Sequence, residues 1–264
     1  MTSGGTLPRG ATGARGTQAV AGVVVVAHGG QSSSTEPTNS LQPAVLRMIP
    51  VAAAVRHALR GSSAVVLRPR FRVRGWNGPQ ASPVADLNET LDGIAAAYGA
   101  VPVVLIGHSM GGRAAIRAAG HPAVSAVAGL APWLPLGEPA AQLAGRRVLL
   151  AHGTADTITS PAETWAFVKR AREFTTVTAI EVRDGDHPML RRARLWHAIA
   201  AEFARSAVGL TPQTPQTPQT ADPAGQADPV GQADPAGQTD PAGAAGDVAA
   251  AMTAAAGLLP RIVL

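Results

Sequence analysis

The chain contains no cysteine. Disulfides, thiolate-bound metals and a cysteine nucleophile are therefore excluded, and the redox compartment is left open. Aromatics are scarce, with four Trp, four Phe and one Tyr, too few for the stacking platforms that hold single-stranded nucleic acids. No apolar run approaches the roughly 18 residues expected of a membrane span. Met1 to Thr17 is rich in Gly, Thr and Arg and lacks an apolar core before a cleavage site, unlike a secretory signal. The expectation from these absences is a cytoplasmic protein with no integral membrane span. Acids are the scarcer charge, 17 against 22 basic residues, which gives a net +5. That balance invites a nucleic-acid partner. The arginines, however, are scattered rather than gathered on one tail or helix, so no nucleic acid is expected.

The charge divides the chain. Residues 1–210 hold 21 of the basic residues and 12 acids, a net +9, whereas 211–264 hold Arg261 against five aspartates, a net −4. Composition changes at the same point. Thr211 to Thr220 repeats TPQ, and Ala221 to Gly243 repeats a hexapeptide of the ADPAGQ type. Such Pro, Gly, Gln and Asp density buries too little apolar surface to offset ordering entropy. A proline in each repeat also argues against a solenoid by removing ladder donors. The end turns apolar again, and Val248 to Leu259 has the composition of a short helix cut before Pro260, within what reads as a frayed tail. The expected organisation is a flexible leader over 1–18, one folded body over 19–209 and a low-complexity tail over 210–264.

Within the body, apolar β-branched runs alternate with helical patterns, as in a parallel sheet with crossover helices. Strands are expected at 20–27, 64–69, 101–106, 124–130, 148–151 and 177–182, and helices at about 43–60, 83–98, 110–119, 161–173 and 189–207. Ser82-Pro83 and Ser160-Pro161 read as N-caps followed by proline at the first helical position, the second with Glu163 completing a capping box. Glu138 reads as part of a surface turn.

Four segments carry chemistry. The strand VPVVLI runs into Gly107-His108-Ser109-Met110-Gly111-Gly112 and then a helix. This is G-x-S-x-G in the strand–turn–helix setting that exposes a serine hydroxyl above a sheet edge. It also aims the Met110 amide and the helix N-terminus at a developing oxyanion. Upstream, a valine-rich strand ends in His28-Gly29-Gly30, where a second oxyanion donor would come from Gly30 rather than Gln31. Downstream, Asp156 follows a strand in HGTAD, and His187 follows another in RDGDH. His197 sits inside the last helix, in the stripe Met189, Ala193, Trp196, Ala200, Phe203, and reads as core packing. His28 and His152 read as loop-shaping residues. No His/Asp/Glu cluster has metal-ligand spacing.

In these HGG, GHSMGG, HGTAD and DGDH segments, in that order, the body resembles the α/β-hydrolase family. Among its members it is most similar to small capless bacterial serine esterases and dienelactone-hydrolase-like enzymes, although Ser109 stands where a dienelactone hydrolase proper has cysteine. The resemblance implies a mostly parallel, doubly wound sheet of about six strands. The chain departs from the family in two ways: the N-terminal antiparallel strands are missing or vestigial, and no cap domain is expected, since the 16 residues from Pro132 to Arg147 are too few for a lid. Ser109 would be the nucleophile, His187 the base and Asp156 its acid, with Met110 and Gly30 as the oxyanion hole. The expected activity is cleavage of an acyl bond, most simply a carboxylic ester, in a small-molecule substrate and without cofactor or metal. The alternatives are a thioesterase or perhydrolase variant of the same site, or a silent hydrolase-fold binding protein. Oligomeric state is left open. The expected pocket walls include Gln31, Trp76, Trp133 and Leu134. Arg68, Arg70, Arg72 and Arg74 alternate along one extended segment and read as a solvated edge, with recognition of an anionic substrate as the alternative.

Overall fold

The computed structural model describes residues 19–209 and 262–263. The leader, the repeats and the segment Val248 to Leu259 lie outside the described residues. Seven strands form one sheet in the order β2-β1-β3-β4-β5-β6-β7, with every pair parallel. They are β1 (Val23–Ala27), β2 (Val65–Leu67), β3 (Val103–His108), β4 (Val124–Leu130), β5 (Arg147–Gly153), β6 (Val177–Val182) and β7 (Ile262–Val263). The strand order reverses between β1 and β3, the switch point where doubly wound sheets open a crevice at their carboxyl edge.

Strand alternation builds the two cores. Val23, Val25, Val103 and Leu105 face α3 (Ser82–Tyr98), α4 (Met110–Ala118) and α5 (Pro161–Ala171), while Val24, Val26, Val104 and Ile106 face α2 (Met48–Ala58) and α6 (Ala193–Ala207). With both faces covered, β1, β3 and β4 are buried along their whole length. This is why they read as continuous apolar runs.

Several boundaries differ from expectation for identifiable reasons. The helix expected over 43–60 divides into α1 (Pro43–Leu46) and α2. Pro50 has no N–H to donate to the Leu46 carbonyl, so the ladder is interrupted there. The last helix starts at Ala193, not 189. Met189 and Arg192 are left-handed, and Asp186 Oδ1 takes the amides of Leu190 and Arg191 into a separate turn. Ser82 is not a cap. The cap position is Ala81 at φ 44°, and the Ser82 hydroxyl instead accepts from Asn77. Ser160 does cap α5, accepting from the Glu163 amide. Ile262 and Val263, expected in a frayed end, extend the sheet beside β6, using edge groups that β6 would otherwise leave open.

Candidate active site

Ser109 joins β3 to α4 with φ 54° and ψ −121°, a conformation costly for any residue with a Cβ. The surroundings over-determine it. Its N–H donates to the Leu130 carbonyl, and its own carbonyl accepts from Arg113 and Trp133. The turn can be this tight because Gly111 packs directly on β1. A Cβ there would lie 2.3 Å from the His28 carbonyl oxygen.

His187 Nε2 lies 3.0 Å from Ser109 Oγ, and His187 Nδ1 lies 2.8 Å from Asp156 Oδ2. All three residues are largely buried, at 7–8 % exposure. The loops that carry the acid and the histidine are clamped together. Thr154 and Ala155 donate to the Val182 and Gly185 carbonyls, at a place where a Cβ on Gly153 would meet Gly185 backbone at 2.1 Å.

Asp156 is more heavily bonded than sequence suggests. Oδ1 accepts from the amides of Ile158 and Thr159, and Oδ2 accepts from the Thr159 hydroxyl as well as from His187. His152 Nε2 stands 3.1 Å from the same Oδ2, and its Nδ1 stands 2.8 Å from the Thr164 hydroxyl. Burial opposes ionisation of Asp156. The bonds from His152, His187 and the two amides outweigh it and hold the carboxyl well below its usual range. His152, read as merely loop-shaping, is thus a direct donor to the acid. No local pattern announces this contact, because His152 lies near the end of β5 and Asp156 on the loop after it.

His108 Nε2 bonds the His187 carbonyl at 2.8 Å, and its ring packs on the His187 ring with centroids 4.9 Å apart. Burial, then the neighbouring His187, pushes its pKa down to about 3, so His108 is neutral and Nε2 is the protonated nitrogen. His28 is also neutral. Burial lowers its pKa, Nε2 accepts from the Phe71 amide, and Nδ1 donates to the Gly29 carbonyl. His197 is half-buried in α6 beside Trp196, consistent with packing.

Two backbone amides of the HGG loop and the Ser109 turn have no acceptor among the described residues. The Met110 amide is the first of α4 and has no helical acceptor. The Gly30 amide makes no intramolecular bond among the described residues. The Gln31 amide is taken by the Arg74 carbonyl at 2.8 Å. That bond belongs to a zipper between 31–38 and 72–77. Thr38, Arg74, Gly75, Trp76 and Asn77 all donate across it, so the HGG loop is held by the loop after β2.

The expected pocket walls separate. Gln31 is exposed at the edge of the site, but Trp76 and Leu134 are core residues at 3 % and 1 % exposure. Trp76 is turned inward because the Arg113 guanidinium lies 3.9 Å from its ring centre and 4.5 Å from that of half-buried Trp133. Arg113 and Arg117 both bond Glu138, whose side chain is fully buried. Glu138 is therefore no surface-turn residue. It neutralises two arginines of α4. Among the described residues, no group of His, Cys, Asp and Glu could hold a metal ion. No helix there is long and apolar enough to cross a membrane.

No family model and no curated protein matches the chain. Solved structures do. A serine hydrolase without lid from Xanthomonas campestris superposes with a TM-score of 0.52 at 21% identity, covering 74% of this chain and 85% of that one. The esterase Pf2001 from Pyrococcus furiosus gives 0.57 at 18%, covering 72% and 82%. A serine hydrolase homologue from Coxiella burnetii gives 0.52 at 16%, covering 69% and 85%. The chain has the α/β-hydrolase fold. As in the lidless structure, no cap lies between β4 and β5, where only a short 3₁₀ turn (Ala141–Leu143) intervenes.

Proposed function

We propose that this chain is a serine hydrolase that cleaves carboxylic esters through an acyl-enzyme. The observation that carries the reading is the continuous relay from Ser109 Oγ to His187 Nε2, and from His187 Nδ1 to Asp156 Oδ2, at 3.0 and 2.8 Å. Ser109 attacks the acyl carbonyl while His187 Nε2 takes its proton, and the ionised Asp156 steadies the imidazolium that results. The amides of Met110 and Gly30 receive the oxyanion, each such donor contributing roughly 10²–10³ in rate. His187 then protonates the leaving alcohol. Water, activated by the same imidazole, releases the acid and restores Ser109.

The strained backbone at Ser109 supports a nucleophile rather than a structural serine, because strain of this kind is kept where chemistry needs it. The neighbours named as hydrolases and an esterase agree with this reading without specifying a substrate. No step calls for a cofactor, and a small acyl ester is the natural partner of an uncapped site. Covalent trapping by a fluorophosphonate tests the assignment: an adduct on Ser109 is expected, and none in folded protein would contradict it.

A further inference from the structure

The four arginines of 68–74 do not share one environment. Arg72 pairs with Asp86 at 2.5 Å and with Glu89, and Arg74 pairs with Glu36 at 2.5 Å. Their charges are satisfied. Arg68 and Arg70 make no hydrogen bond or ion pair among the described residues. Both instead line a cavity of about 120 Å³ at the carboxyl ends of β1 and β2, together with Ser40, His28 and an apolar floor of Val26, Val45 and Met48. No acid lines it. Both arginines are exposed at the rim of this concavity, and an oxyanion between them would receive charge-assisted N–H donors from each side.

The cavity is linked to the Ser109 turn through the HGG loop. His28 forms part of its wall, and the next residue, Gly29, packs on Ser109. A Cβ on Gly29 would stand 3.3 Å from Ser109 Cβ. We infer that the Arg68–Arg70 cavity receives a carboxylate or phosphate group carried by the substrate, making the preferred substrates anionic esters. This rests on the hydrolase reading and adds the substrate class to it. The Ser40 hydroxyl supplies a further donor, and the apolar floor accommodates the carbon chain that leads to the anionic group.

The test compares kcat/KM for p-nitrophenyl butyrate and p-nitrophenyl hemisuccinate, two esters of equal length of which only the second bears a carboxylate. The full chain is expected to favour the hemisuccinate, and Arg68→Gln/Arg70→Gln should reduce that ratio by about tenfold or more. Arg72→Gln, whose charge is already paired, should leave the ratio unchanged. Inorganic phosphate should compete with the hemisuccinate in the parent chain and lose that effect in the double variant. An unchanged ratio in the double variant overturns the inference even if both esters are turned over. Phosphate inhibition that depends on the two arginines, without an ester preference, assigns the cavity to a free anion and equally overturns it. Absence of turnover on both esters removes the hydrolase reading itself.

Discussion

Two buried carboxylates, Asp156 and Glu138, sit at opposite electrostatic extremes of this molecule. Both side chains are fully shielded from solvent. Glu138 is met by two full positive charges, Arg113 and Arg117, and the tryptophans stacked on Arg113 exclude water around it. Asp156 meets no arginine or lysine, only two imidazoles, a hydroxyl and two amides. Hydrogen bonds rather than a guanidinium keep Asp156 ionised, so an imidazolium formed at His187 would meet a carboxylate that no arginine has already paired. A carboxylate neutralised by arginine can brace a fold but cannot reward protonation of a neighbouring histidine. One held by dipoles can.

The comparison can be broken most directly at Asp156. Asp156→Asn should retain the fold and lower ester turnover by about four orders of magnitude, since the amide imposes the wrong histidine tautomer. A loss under tenfold in steady-state kcat would show that the uncompensated charge does no catalytic work. Glu138→Gln should do the reverse. It leaves buried Arg113 without a counter-charge, while half-buried Arg117 can turn to water, and should destabilise by about 3 kcal/mol in urea unfolding, with kcat per folded molecule essentially kept. Selective loss of kcat without loss of stability would mean that the two networks are coupled.

The smallest effect concerns pH. His108 has a pKa of about 3 in the folded protein, against about 6.5 unfolded. The folded-state value is depressed, so the associated stability is complete above pH 6.5 and is lost as pH falls from there toward 3. Between pH 7 and 5 the loss should be about 2 kcal/mol, with buried His28 and half-buried His197, both lowered by burial, acting in the same direction. In His108→Gln that part of the slope should vanish. An unchanged slope would show that His108 takes up its proton in the folded state.

The sequence disclosed one of the two carboxylates and misread the other, and the physical difference explains why. Asp156, Ser109 and His187 each follow a strand, and parallel strands deliver their carboxyl ends to one edge whatever the rest of the chain does. Local pattern therefore put all three residues on loops after strands. Glu138 acquires its meaning only from Arg113 and Arg117, which lie on α4 across the β4–β5 connection, and no local pattern announces that meeting. The alternation of Arg68 to Arg74 misled in a related way. Period two suggests one face, but the extended pairing there is with 31–38, and the partners of Arg72 and Arg74 come from α3 and the loop after β1. Trp76 and Leu134 were read as pocket walls because they are apolar and on loops. The cation that draws Trp76 inward belongs to another element.

The central claim is that Ser109 is a nucleophile activated by His187. It is tested most directly by treating the folded chain with a fluorophosphonate and mapping the adduct by mass spectrometry. A single phosphonyl group on Ser109 is expected, formed at a rate that collapses in His187→Ala and absent in Ser109→Ala. An unlabelled Ser109 in folded protein, or labelling indifferent to His187→Ala, would contradict the account.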